Sequence, residues 1–276
     1  MAVAALIEHD APVLCYHRIG GPLELGVTRV GRSVFARQMT ALARAGWKTW
    51  TLEQYASRRR ADVPTCKVFL LSFDDGYASL ADNAYPILAD LGFTATTFLI
   101  TDYVGRTNTW DMRYTWDRLP HLRWPDIEAW QARGFDFASH GATHRRLTWL
   151  DDATLVSELE RSRDTLISRL GPGAGRAVAY PFGAADPRVL RHAQSAGYEL
   201  GFGGVRGNGT PLHLPRVPVY LWDRGDVPFG LRSDAVGALG RVVAHAANRC
   251  AVGTSLMRAI GYRVPALGGH NPIANS

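Results

Sequence analysis

The stretch "VFLLSFDDGYASL", Val68 to Leu80, sets a nearly unbroken apolar run, Val68 to Phe73, against two adjacent acids, a glycine and a tyrosine. A short apolar run of this kind reads as a parallel strand covered on both faces, which ends where Asp74 and Asp75 begin. Working outward, four segments share one punctuation: "ARAGWKTW" at Gly46, "ADLGFTATTFLI" at Gly92, "QARGFDFAS" at Gly134 and "QSAGYELGF" at Gly197. Each places a glycine after a helical-looking run and an aromatic at the start of a strand-like one, the pattern of a helix-to-strand connection.

Helix starts keep the same rhythm. Thr51 and Gln54 have capping-box spacing, Pro125 suits a first helical position, and Asp151 precedes "DATLVSELERSRDTLISRL", where Leu155, Leu159, Leu166 and Leu170 form one apolar stripe widened by Val156 and Ile167. Strands are expected at 12–17, 67–73, 94–100, 135–139, 177–180 and 214–219. Alternation of strand and helix predicts a parallel sheet with right-handed crossovers. "CYHRIGGPLELG" lacks the spacing of a dinucleotide-binding turn and no phosphate-loop lysine motif occurs, so the expected fold is α/β, a distorted (β/α) barrel of about seven parallel strands with its site at the strand C-termini.

At 276 residues the chain suits one large domain, here expected over 1–228, with 229–276 as a C-terminal helical extension. In that extension Val236, Leu239, Val242 and Val243 have helical spacing, with Arg241 and Arg249 outside the stripe; it packs on the barrel or lies at a membrane surface. The net charge of +6 is spread along the chain, and no zinc-finger, basic-zipper or aromatic RNA-reading motif accompanies it, so nucleic acid is not an expected partner. Cys15, Cys66 and Cys250 are odd in number and far apart, and "MAVAALIEHDAPVLCYH" lacks a basic leader segment; both fit a cytoplasmic location, with peripheral membrane contact left open. Oligomeric state is not legible.

Three strand ends carry chemistry. Successive residues of an extended chain point to opposite sides, so Asp74 and Asp75 need not do the same job. Two carboxylates side by side repel unless a cation or proton neutralises one, although in isolation an acidic turn with Gly76 supplying the bend is the plainer reading. In "FDFASHGATHRRL" His140 and His144 stand four apart across a turn, close enough to share one ion or simply to sit on the surface. "AVAYPFGAAD" ends another strand in a Pro181–Phe182–Gly183 turn, which can aim the Phe182 amide at a developing oxyanion or serve only as a connection.

At these positions the sequence resembles the polysaccharide deacetylase family, the carbohydrate esterases of family four: "SFDDGY" is similar to its first motif, "SHGATH" to its second and "AYPFG" to its third, in the family's order. The resemblance covers roughly residues 12 to 220. It implies a metal-dependent carbohydrate N-deacetylase, a hydrolase of amides, in which Asp75, His140 and His144 hold one divalent ion, Zn2+ with Co2+ or Ni2+ as alternatives. Asp74 would be the general base, and the Phe182 amide would stabilise the oxyanion. Many members carry an arginine two residues before the third motif's proline, oriented toward the base; here that position is Ala179. Arg216 and Tyr180 are the candidates for orienting the base or touching substrate, with a purely structural Arg216 as the competing reading. For the general acid, His213 in "PLHLP" precedes its strand, whereas His17 ends the first strand and resembles the circularly permuted branch of the family; His17 is preferred. Cys15 reads as a packed thiol.

Trp110, Asp111, Trp116 and Trp124 either stack on a sugar or cover the barrel mouth. The expected substrate is an N-acetylated saccharide or glycoconjugate. Alternatives are a cytoplasmic deacetylase or deformylase of a lipid- or nucleotide-linked amino sugar, and a catalytically inactive carbohydrate-binding barrel.

Overall fold

The structure, a computed structural model, describes residues 11–21, 28–58, 67–109, 119–205 and 207–228. The expected C-terminal extension and the residues Trp110, Asp111 and Trp116 lie outside the described residues. In chain order the strands and helices are β1 (Val13–Tyr16), β2 (Arg18–Ile19), β3 (Arg29–Val30), α1 (Arg32–Arg44), β4 (Lys48–Thr49), α2 (Leu52–Arg58) and β5 (Val68–Phe73). They continue with α3 (Ser79–Asn83), α4 (Tyr85–Asp90), β6 (Thr96–Leu99), α5 (Trp124–Gln131), β7 (Asp136–Ser139), α6 (Asp152–Leu170), β8 (Ala177–Ala179), α7 (Pro187–Ser195), β9 (Leu200–Phe202) and β10 (Val217–Pro218).

Seven strands form one parallel sheet in the order β10-β1-β5-β6-β7-β8-β9, with β4 paired to the lower half of β5. The sheet curls until its edges meet. Leu214 donates to Gly201 and accepts from Gly203 on the β9 side, and Arg216 donates to Gly204; the next two residues, Val217 and Pro218, are in register with Leu14 and Cys15 of β1. One segment, Leu214 to Pro218, therefore bonds first one edge and then the other. The architecture is the expected distorted (β/α) barrel.

Local chemistry explains the alternation. Gly46, Gly92, Gly134 and Gly197 follow α1, α4, α5 and α7 with φ between 68° and 90°, a conformation that costs glycine nothing and ends each helix. Thr51 and Gln54 exchange side-chain and backbone bonds of 3.0 and 3.2 Å, the predicted capping box, and Asp151 accepts from the Thr154 amide at 2.8 Å. On α6, Leu155, Leu159 and Leu166 are buried.

Period two divides each strand between two cores. On β5, Phe69, Leu71 and Phe73 face the helices, packed with Met39, Leu88 and Phe93, while Val68 and Leu70 face the barrel interior with Val13, Phe98, Ala138, Ala177 and Phe202. Leu52 and Tyr55 of α2 close the interior from below. Asp136 belongs to that closure: its carboxylate accepts the Leu52 amide at 2.6 Å and its burial pushes the carboxyl up to about 6. No helix among the described residues is long and apolar enough to cross a membrane.

Candidate metal centre

Extending the inward face of β5 by period two leads from Leu70 through Ser72 to Asp74, so the first acid points into the top of the barrel. The Asp74 amide is still in the sheet, donating to Tyr16 at 2.9 Å. At Asp75 the chain leaves the strand through a left-handed turn, with φ 68°. The inward face of β7 leads in the same way from Ala138 to His140, while Ser139 points outward to Ser162 of α6 at 2.8 Å. His144 follows after a turn of its own, with φ 59°.

Asp75 Oδ1 lies 3.5 Å from His140 Nε2 and 3.4 Å from His144 Nε2, and one ligand atom from each residue falls within 4.8 Å of the others. All three residues are buried. Bonds of about 2.0–2.1 Å in a tetrahedral site put ligand atoms roughly 3.3 Å apart, so both separations suit a shared ion. The imidazoles are also prepared for it. His140 Nδ1–H donates to the Ala179 carbonyl at 2.7 Å, which turns the lone pair of Nε2 toward Asp75, and burial lowers the His140 pKa and keeps the ring neutral.

Asp74 stands apart electrostatically. Arg216 grips both its oxygens, at 2.6 and 2.8 Å, and donates through Nε to Gly203 at 3.0 Å; both residues are almost fully buried. Burial alone would raise the Asp74 carboxyl, but the guanidinium more than offsets it and holds the acid well below the usual carboxylate range. The guanidinium paired with Asp74 thus comes from Arg216, not from position 179, which is Ala. Cys15 Sγ lies 3.5 Å from Asp74 Oδ2, and burial pushes the thiol up, in keeping with a packed thiol. Cys15, His17 and Asp74 form a second compact group of donor atoms. With Arg216 already neutralising Asp74, charge balance favours a cation at Asp75, His140 and His144 instead.

His17 follows β1 on the inward face, half-buried, and burial pushes its imidazole down to about 4. Phe182 sits in a turn with φ 62°, its ring 4.8 Å from that of His144. Gly183 next to it also has φ 62°, and a Cβ there would lie 2.6 Å from the Gly204 nitrogen, so this turn needs glycine. Among the described residues, only Asp75, His144 and Phe182 combine a side chain with positive φ. Such conformations cost about 1–3 kcal/mol each and concentrate where function over-determines the backbone.

Two expectations need correction. Tyr180 does not reach the site: along β8, Ala177 and Ala179 face the interior, so Tyr180 faces the layer of α6 and α7, where it is fully buried and donates to the Leu212 carbonyl at 2.8 Å. Trp124 does not cover the mouth either; it opens α5, packed beside the outer core with the Arg169 guanidinium 5.2 Å from its ring centroid.

Two features were missed. Trp149 is 48% exposed, with Arg146 between it and Phe182 at 5.2 and 5.9 Å from the two ring centroids. Glu158 is buried on α6 and accepts from the amides of Ala142 and Thr143 at 3.1 and 2.9 Å and from the Thr143 hydroxyl. Its signal was an acid on the apolar stripe between Leu155 and Leu159.

Residues 61–201 match the family profile described as polysaccharide deacetylase. YxkH of Bacillus subtilis, named as a polysaccharide deacetylase, is 28% identical over 191 residues, which span 69% of this chain and 63% of YxkH. A poly-β-1,6-N-acetyl-D-glucosamine N-deacetylase of Staphylococcus aureus is 24% identical over 230 residues, 76% of this chain and 79% of the relative. Among solved structures, the Streptococcus pyogenes deacetylase PplD in complex with acetate superposes with a TM-score of 0.68 at 23% identity, covering 78% of this chain and 94% of that one. IcaB from Ammonifex degensii superposes with a TM-score of 0.62 at 24% identity, over 76% and 92% of the two chains. With its motifs on the strand ends of the same barrel, and the profile spanning just over half its length, the chain belongs to the polysaccharide deacetylase family.

Proposed function

We propose that the protein is a metal-dependent hydrolase that removes N-acetyl groups from amino sugars in a polysaccharide or glycoconjugate. The observation that carries this reading is the pairing of two differently prepared acids: Asp75 shares a buried centre with two imidazoles, and Asp74, beside it, is kept ionised by Arg216.

Asp75, His140 and His144 would hold one divalent ion, and the mixed nitrogen and oxygen donor set suits Zn2+, with Co2+ or Ni2+ as substitutes. An ion bound there supplies Lewis acidity, lowering the pKa of a water and polarising an amide carbonyl. Asp74 takes the proton of the attacking water; ionised, it offers lone pairs beyond those engaged by Arg216. His17, neutral in the resting site and in the same donor group as Asp74, would pass to the departing amine the proton that Asp74 takes from the water. The Phe182 amide joins in stabilising charge on the attacked oxygen. The Arg216 pair supports this reading over an inactive binding barrel, which rests on Ala179.

The name of the Staphylococcus aureus relative supports a β-1,6-linked N-acetylglucosamine polymer as the substrate to try first. Trp149 supports an extended ligand, since its exposed ring adjoins the Arg146–Phe182 side of the site and offers a sugar an apolar face. The decisive experiment combines metal analysis of the purified protein with acetate release from N-acetylated oligosaccharides. Asp75→Asn is expected to lose both bound metal and acetate release while keeping the wild-type fold by circular dichroism. Full turnover in that variant would contradict the proposal.

A further inference from the structure

Glu158 lies on α6, eighteen residues after His140 in sequence, and the residue is 4% exposed. It serves the turn between the two imidazoles. Oε2 accepts from Ala142 and Thr143, and Oε1 accepts from the Thr143 hydroxyl. The opposite edge of the turn is held as well: the carbonyls of Gly141 and Ala142 accept from the amides of Thr101 and Asp102 at 3.3 and 3.0 Å, after β6. The Gly141 amide donates to Ser139 Oγ at 3.1 Å. All three amides between His140 and His144 therefore end on side-chain oxygens, two of them on this one acid.

Gly141 has φ 76°, a left-handed conformation that favours glycine, and Glu158 Oε2 packs directly against it, 3.4 Å from where a Cβ would stand. The turn leads into His144 at φ 59°, which a β-carbon-bearing residue holds only under external constraint. A carboxylate accepting several bonds at once, two from amide N–H groups, supplies that constraint more strongly than neutral acceptors would.

We propose that Glu158 is a positioning residue that fixes the His140–His144 turn in its ion-binding geometry before any ion arrives. The inference rests on the metal-dependent reading above. Groups that orient ligands from behind change metal affinity by about 10–100-fold when removed. Glu158→Ala is accordingly expected to weaken Zn2+ binding by at least about tenfold, measured by competition with a chelator of known affinity. Glu158→Gln, which keeps the shape and one acceptor but not the charge, falls between the two. In the metal-free protein, hydrogen exchange at Ala142 and Thr143 speeds up in Glu158→Ala, while the β5 amides keep their protection.

A purely structural role gives a different result: lower melting temperatures in both variants with Zn2+ affinity within about twofold of wild type, and this overturns the proposal. If Glu158→Ala does not fold, Glu158→Gln decides by the same twofold criterion. Wild-type protein that takes up neither Zn2+, Co2+ nor Ni2+ overturns the metal reading and this inference with it. Wild type that binds alongside variants that bind equally well overturns this inference alone.

Discussion

Replacing Arg216 with methionine keeps most of the side-chain length and removes the guanidinium bonded to Asp74. In the wild type both carboxylate oxygens of the buried Asp74 are held, at 2.6 and 2.8 Å. Removing one partner of a buried pair leaves the other charged and uncompensated, at a cost of about 3–5 kcal/mol. At roughly 2–4 °C per kcal/mol for a chain of this size, the melting temperature should fall by on the order of 10 °C. The pH dependence separates this cause from lost packing. Because the wild-type Asp74 carboxyl is held below its unfolded value of 3.8, its stabilising contribution is fully present above that pH and is lost only in stronger acid. Without Arg216, burial is unopposed by the guanidinium and the carboxyl rises above 3.8, so stability is lost as pH rises through the new value. The difference between wild type and variant is thus greatest near pH 7 and shrinks toward pH 4. Urea titrations of the chelator-treated proteins from pH 4 to 8 measure it, and Asp74→Asn in the Arg216→Met background should recover much of the loss by deleting the orphaned charge. A gap constant across pH, or a double variant no better than Arg216→Met, would refute the electrostatic account.

Asp136 gives the opposite slope from the other end of the barrel. With its carboxyl pushed up to about 6, the stability associated with it is present below 3.8 and lost as pH rises through 6. Asp136→Asn, whose amide oxygen can still accept from Leu52, is therefore expected to be more stable than wild type at pH 8, by at most about 2–3 kcal/mol, and indistinguishable at pH 4; an equal gain at both pH values would rule out titration as the cause. Trp149→Ala tests substrate length. Losing roughly 40 Å² of apolar contact at about 25 cal/mol per Å² is worth about 1 kcal/mol, or about fivefold in KM for an oligosaccharide, with kcat on a single N-acetylated sugar unchanged. A KM that does not move would remove Trp149 from the binding surface.

The barrel was legible because its signals are local. A glycine in the left-handed region after each of four helices, a cap at each of two helix starts and apolar runs at five of six expected strands all act within a few residues, and each survives in the structure with at most shifted ends. The strand expected at 214–219 shows where locality fails. It is one segment divided between two neighbours, bonding β9 around Leu214 and β1 around Val217, and that division depends on how far the sheet has curled. Arg216 owes its place to the same closure. It faces inward two residues after Leu214 and meets an acid 142 residues away in sequence, a partnership that no spacing in "HLPRVPV" announces. Tyr180 misleads for a simpler reason: it belongs to a site motif, directly before Pro181, but its parity along β8 is that of Val178, which faces the helices.

The two adjacent acids join these scales. Asp74 is the last residue still bonded to β1, so its direction is inherited from the strand, which aims it inward at Arg216. One residue later the backbone turns to φ 68°, and Asp75 faces His140 and His144 rather than the far side of the sheet. Had the strand simply continued, period two would have driven the second acid outward among Phe69, Leu71 and Phe73 and their helices, where nothing balances its charge. The left-handed turn, eased by Gly76 directly behind it at φ 70°, is what brings a second carboxylate into the same mouth. The strain at Asp75 is therefore a condition for giving neighbouring identical side chains different partners, one a guanidinium and the other a pair of imidazoles.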